Sequence, residues 1–405
     1  MRKTIFTLIL FILNSPAQGQ EIFNAVRSNN PDTVMKIIEE RPGEIKITDR
    51  SKNTPLHYAA IQVNEDIVRI LIENGADVNF KNSYKRTPYQ KAIIFGNTGI
   101  ADFLKSHGAD TGEWKSPSRE GKYFGQTPPG DIPEIFAPGI ISMEYRAEWG
   151  FTLSPGGDEI YYTQRRRPDH GGRIWFLKFD GENWSEPRPA EFTYDTLDLF
   201  SMEAFEYEPH ISPDGQKLLY GSKRPLPGQE ELNSEFLYWI VNKEGSGWGE
   251  PYLLDSKINN LKPMFVSMTL YGTIYFTNTI ENKIYRSEYK NGSYQIPERL
   301  PDEINFLGQA AHPFIAPDES YIIFDGRTED NFEFPVYLYI SFRKDDGSWT
   351  EAVKFDEEIN SLNPALACVS RDGKYIFFES NTTGYGDIYW VDANVIEKMK
   401  KNFAK

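Results

Sequence analysis

Glu206, Glu208 and His210 alternate with Tyr207, Pro209 and Ile211 in one short run of the chain. In an extended strand successive side chains point to opposite faces, so these three ionisable groups fall on one side. Two carboxylates and an imidazole on one face could ligate a divalent cation, or act as acid and base on a glycan. Similar runs elsewhere carry further groups of this kind: Glu148 ahead of SPGG, His312 ahead of APDE and Cys368 ahead of SRDG. The plainer expectation for such a set is a hydrated polar funnel.

The elements that would position them are repeated hairpins. SPDG at Ser212 separates two apolar runs, and the phrase returns as SPGG at Ser154, APDE at Ala316 and SRDG at Ser370, with a worn copy, TLYG, at Thr269. Pro fixes φ and Gly tolerates a left-handed residue, so each copy suits a tight turn. Asp214 and Asp372 are thereby turn formers. Positions 154, 212, 269, 316 and 370 stand 58, 57, 47 and 54 residues apart. After each turn come a second strand, a third rich in aromatics such as EFLYWIVN (235–242), and a fourth announced by WSEP, WGEP, YQIPE or WTEA. Four antiparallel strands at such a period predict the blades of an all-β propeller, five in number with six as the alternative.

The last unit ends after DIYWVD in a helical stretch, with no fourth strand. Residues 133–142, PEIFAPGIIS, resemble the segments that end the inner blades, so this N-terminal piece is expected to complete the last blade and close the ring. Aligned on their turns, the units place Glu148 level with Glu206, His312 with Glu208, and Cys368 with His210. Closure is then expected to gather Glu148, Glu206, Glu208, His210 and His312 at one channel mouth. A divalent cation there is the one cofactor to consider. No nucleophile elbow, phosphate loop, dinucleotide fingerprint or spaced metal quartet occurs, and Cys368 is the single cysteine.

Residues 20–112 repeat differently. Asn53-Thr54-Pro55-Leu56-His57 is followed by a GAD at Gly75, and 33 residues on come Thr87-Pro88 and a GAD at Gly108. Thr54 is a helix cap with Pro55 in the first turn, and the glycines are left-handed stops. EIFNAVRSNN and PDTVMKIIEE read as a worn first copy. This period and its TPLH and GAD signatures resemble ankyrin repeats, about three of them. The resemblance implies a stack of helix pairs in which His57 bonds between neighbouring loops. Where ankyrin loops usually carry glycine, this chain has Lys52 and Lys85. With Arg50, Lys81 and Arg86 they form basic loop tips, expected to be a solvated face or a contact for an acidic partner.

The later repeats, from about 123 to 397, resemble the TolB-like, WD-type β-propeller repeats of bacterial envelope proteins. That resemblance implies the fold and a tendency to act by binding. The expected organisation is a signal peptide (1–19), an ankyrin domain (20–112), a linker (113–131), a propeller (132–397) and a tail (398–405). The leader is read from basic Arg2 and Lys3, apolar Thr4 to Leu13, and the small-residue site Ala17-Gln18-Gly19. Export to the periplasm or the medium follows, without a membrane anchor.

The formal charge is −15, which removing Arg2 and Lys3 would take to −17. So acidic a protein is a poor nucleic-acid binder. Two function classes remain. One is an exported, non-enzymatic module that binds an envelope or secreted protein. The other is a carbohydrate-active enzyme, a lyase or hydrolase, or a glycan-binding protein using the channel mouth.

Overall fold

The computed structural model describes residues 20–62, 64–112, 118–144, 146–165, 172–194, 206–328, 335–383 and 385–403. The segment read as a signal peptide lies outside them. The chain divides into two compact units at Lys115/Ser116.

The first unit is three helix pairs. Gln20–Arg27 pairs with Pro31–Glu40, Pro55–Ala60 with Glu65–Glu73, and Pro88–Ile94 with Thr98–Ser106. The sequence sets each boundary. Asn30 accepts from the N–H of Thr33 at 3.0 Å, and Thr87 exchanges bonds with Gln90 in a capping box. Gly75 (φ 91°) and Gly108 (φ 87°) turn left-handed to stop the second helices of their repeats. Ala76 N–H then reaches back to Leu71 O at 3.0 Å, a Schellman closure. Ile67, Val68 and Leu71 are fully buried in the shared core, with Ile70 packed at its margin.

The second unit is a five-bladed propeller. Blade 1 comprises Ala147–Leu153, Glu159–Arg165, Arg173–Lys178 and Arg188–Pro189; blade 2, Glu206–Ile211, Lys217–Ser222, Leu237–Glu244 and Tyr252–Leu253. Blade 3 comprises Pro263–Met268, Ile274–Asn278, Lys283–Ser287 and Glu298–Arg299; blade 4, Gln309–Ile315, Tyr321–Arg327, Tyr337–Phe342 and Val353–Lys354. Blade 5 takes Pro364–Val369, Tyr375–Ser380 and Asp387–Asp392 from the C-terminal end. Its fourth strand is Glu134–Ile135, antiparallel to Tyr389 and Trp390. The ring therefore closes with strands from both ends of the unit, as the repeat pattern predicts. Phe136 anchors the closing strand, 1% exposed and ringed by Phe124, Phe151, Phe377 and Trp390 at 5.0–5.6 Å.

A buried asparagine explains the Ile-Asn that ends the inner units. Asn305 accepts from Ile284 N–H and donates to the carbonyls of Ile284 and Leu300, tying the short helix after the fourth strand to the third strand. Asn259 and Asn360 do the same in the neighbouring units. In blade 5 Ser142 takes this place, its Oγ 3.0 Å from Ile388 N.

Residues 118–131, within the expected linker, pack on the propeller. Phe124 is buried and stacks on Trp184 at 5.0 Å, and Trp184 Nε1 donates to Lys122 O. Gln126 bonds Ile135 and Ala137, and Gly130 O accepts from Asp392 N–H. Glycine, proline and charge signalled a boundary here, but Tyr123 and Phe124 supply apolar surface that is stable only when covered.

Candidate functional site

Each inner strand breaks its pleat once. The register shifts between Trp149 and Thr152, Tyr207 and His210, Met264 and Ser267, Ala311 and Phe314, and Ala365 and Cys368. At every bulge one residue takes positive φ: Gly150 (59°), Glu208 (53°), Phe265 (46°), His312 (49°) and Leu366 (50°). A non-glycine residue in this region is strained and persists only where its surroundings hold it. Here the holding bond comes from the preceding blade. Glu208 N–H donates to Thr163 Oγ1 and His312 N–H to Thr277 Oγ1, both at 2.9 Å, and Leu366 N–H to Asp325 Oδ2 at 3.1 Å. In blade 2 the equivalent position is Gly221, which has no side chain. The Glu208 carboxylate serves instead, accepting from Phe265 N–H at 2.8 Å.

The bulge redistributes the sequence candidates. Glu148 and Glu206 do occupy equivalent positions, paired with Gln164 and Ser222. Each turns into a seam between blades. Glu148 is fully buried, accepting from Met143 N–H and Gln164 Nε2 at 3.1 Å; burial, with Asp387 nearby, pushes its carboxyl pKa well up. Glu206 pairs with Arg224 at 2.8 Å and accepts from Tyr194 N–H. His210 lies in another seam. Its Nε2 accepts from Met268 N–H at 3.1 Å, and burial, helped by Arg371, lowers its pKa to about 3. Cys368, level with His210, is buried and its thiol is pushed up to about 12 by burial.

Glu208 and His312 come together. His312 Nδ1 lies 2.7 Å from Asp325 Oδ2. Burial works against the imidazolium, yet Asp325, Glu208 and Glu379 raise the His312 pKa to about 9. Burial raises the Glu379 carboxyl to about 7, with Asp325 and Glu208 adding to the rise and His312 opposing it. Glu208 is also raised, chiefly by burial, and it accepts from Tyr238 OH at 2.9 Å. The Phe265 ring meets His312 edge-on at 5.7 Å. The cluster is thus three carboxylates around one imidazole, drawn from blades 2, 4 and 5. Among the described residues no group of three or more His, Cys, Asp and Glu side chains is arranged to hold a metal ion.

Asp325 and Glu379 were missed in the sequence. Both sit on second strands, opposite Ala311 and Ala365, where blades 1 and 3 carry Thr163 and Thr277. Aligning the second strands as well as the first would have exposed a carboxylate replacing threonine in two blades.

The ankyrin unit has its own site. Lys52 and Lys85 stand at φ 57° and 58° in tight turns, their N–H groups donating to Asp49 O and Asn82 O. Asn82 Nδ2 bonds Asn53 Oδ1 at 2.8 Å and Ser83 N–H bonds Ser51 O at 2.9 Å, so the two turns stack. Arg50, Lys52, Lys81 and Lys85 are exposed and Arg86 is half-buried. Behind them His57 accepts from Thr54 N–H and bonds Arg86 O at 3.0 Å, in the next turn. Burial holds its pKa down at about 4, and with both ring nitrogens bonded it acts as a neutral strut.

Residues 22–113 match the ankyrin-repeat family in three copies. No curated protein matches the chain. Ankyrin repeats and a propeller are both modules suited to protein interaction, and no helix among the described residues is long and apolar enough to cross a membrane.

Proposed function

We propose that the protein is an exported, non-enzymatic scaffold that binds an acidic envelope or secreted protein through its ankyrin turns. The observation that carries this is the pair of exposed lysines held at positive φ, where glycine would relax the backbone. Lysine at two equivalent, solvent-facing left-handed positions, where the ankyrin turn usually has glycine, is a departure from the repeat that a contact made there would account for. Arg50 and Lys81 extend the basic row in a chain of formal charge −15. Export rests on the basic, apolar and small-residue order of residues 2–19. The TolB-like character of the repeats rests on the SPDG, aromatic-strand and W-x-E-P phrases. The test is capture from an envelope fraction by the full-length protein and by a Lys52→Ser/Lys85→Ser variant, at low and high salt. Capture should fall in the variant and, for the parent, with salt. Equal capture by both would make the lysines a solvated loop face.

A second reading, a glycan site in the channel, is favoured by the Glu208–His312–Asp325–Glu379 cluster. Its carboxyl near pKa 7 and its imidazolium are suited to proton transfer at a sugar oxygen. Incubation with a panel of acidic and neutral oligosaccharides tests it. Product formation that His312→Ala abolishes would support this reading, and no product from any glycan would remove it.

A further inference from the structure

The ionisable groups that meet in the channel leave part of their bonding capacity free among the described residues. Asp325 takes both its bonds on Oδ2, from His312 Nδ1 at 2.7 Å and from Leu366 N–H at 3.1 Å, which leaves Oδ1. Glu208 does the same. Its Oε2 accepts from Phe265 N–H and Tyr238 OH, which leaves Oε1. Glu379 accepts no bond on either oxygen, although its equivalents Thr163, Thr277 and Asp325 each hold the next blade. His312 is bonded at Nδ1 alone, which leaves Nε2. Unbonded polar atoms sealed from solvent include Glu206 Oε2 and Arg165 Nε but none of these, so each of them reaches open space. They also converge. Asp325, Glu208 and Glu379 all act on His312, and Asp325 and Glu208 act on Glu379.

Charge and geometry narrow what fits. Arg165 also acts on Glu379, but from beyond 4.0 Å, and even with it the carboxylates outnumber the cations three to two. That surplus lies where Glu208 and Asp325 are only 6% and 4% exposed. Buried charge of one sign calls for a counter-charge. Among the described residues no three such groups are arranged to hold a metal ion. Separate acceptors are met instead by a cation with several N–H donors, as a primary ammonium has. Beside them stands one donor. Held as an imidazolium, His312 presents Nε2–H and needs an oxygen. An ammonium with a hydroxyl on the neighbouring carbon answers both demands.

We propose that this cluster binds a vicinal amino alcohol, its ammonium on Glu379 and Asp325 and its hydroxyl oxygen on His312 Nε2. The group occurs in 2-amino sugars and in ethanolamine. The site is that of the glycan reading, but the inference concerns binding and does not rest on any glycan being cleaved there.

Calorimetry and thermal melts on the full-length protein test this with glucosamine and ethanolamine, against N-acetylglucosamine, glucose and ethylamine. Glucosamine should bind and raise the propeller melting temperature with concentration. N-acetylglucosamine and glucose lack the charge and ethylamine lacks the hydroxyl, so each should bind about tenfold more weakly or worse. Equal binding by ethanolamine would show that the amino alcohol alone is recognised; binding by glucosamine only would place it on a sugar. Glu379→Gln removes a charge without removing a described bond, so the fold is kept and affinity for glucosamine should fall about tenfold. Glucose or N-acetylglucosamine binding as tightly as glucosamine would overturn the proposal and leave the glycan reading standing. Absence of binding by both amino alcohols would overturn it too, as would ethylamine matching them or an affinity unchanged in Glu379→Gln. No product from any glycan would remove the glycan reading alone.

Discussion

Lys52 and Lys85 in the ankyrin unit, and Glu208 and His312 in the propeller, all stand at φ between 49° and 58°. In the helical unit the left-handed residue is the same type in both turns and faces solvent. In the propeller it is different in every blade, Gly150, Glu208, Phe265, His312 and Leu366, and is turned inward. The backbone device therefore belongs to the repeat, and the side chain on it is free to be spent on something else. An open stack displays that side chain at its turn tips. A closed ring collects five of them around an axis, where two ionisable ones meet. Strain alone does not mark function in either unit; the departure of a side chain from what the repeat needs does.

The sharpest way to break the comparison is to open the ring while leaving the stack untouched. Phe136→Ala removes a buried ring that fixes the closing strand and should cost the propeller about 3–5 kcal/mol. Urea unfolding should show the propeller transition moving and the ankyrin transition still. Retention of the parental midpoint would mean that residues 134–136 do not secure closure. Asn305→Ala deletes two bonds from one short helix to the third strand of blade 3 and a third to Leu300 O. The expected loss is about 1–3 kcal/mol, again confined to the propeller.

The histidines sharpen the contrast because their signs are opposite. The folded pKa of His312, about 9, lies above its ordinary 6.5, so its stabilisation is full below pH 6.5 and is lost as pH rises through 9. The folded pKa of His57, about 4, lies below 6.5, so its stabilisation is present above 6.5 and is lost as pH falls through 4. Glu379, raised to about 7 from 4.5, adds a decline between those values, and His210 at about 3 acts in the sense of His57. His312→Ala, made in a Glu379→Gln background because His312 also holds the Glu379 carboxyl down, should flatten the propeller's stability between pH 6.5 and 9. Melting curves across pH on the parent and variant decide this. An unchanged alkaline decline would show that Asp325, Glu208 and Glu379 do not hold the imidazolium.

Much of the architecture was legible because it is written as repeats. The five turns, the closing segment after Pro133 and the 33-residue helical period follow from spacing and turn chemistry. Register between inner strands was legible too: Glu148 with Glu206, and Glu208 with His312, stand level in the structure. What alternation could not show was the bulge after Tyr207, which sends Glu206, Glu208 and His210 to different partners. An extra residue in a strand leaves no mark in a period-two pattern when the residues around it are themselves mixed. Asp325 escaped notice in a run, YIIFDG, that reads as an ordinary second strand. Residues 118–131 read as a boundary because their composition outweighed two aromatics.

The central claim is that the ankyrin turns keep lysine in a strained backbone for the sake of a partner. Replacing both residues by glycine separates stability from binding in one experiment. Lys52→Gly/Lys85→Gly relieves two left-handed side chains and should raise the ankyrin transition by about 1 kcal/mol per site or slightly more. The same full-length variant should lose salt-sensitive capture of the envelope or secreted partner. Greater stability together with lost capture is the predicted result. Greater stability with capture undiminished would contradict the account, and so would a variant less stable than the parent.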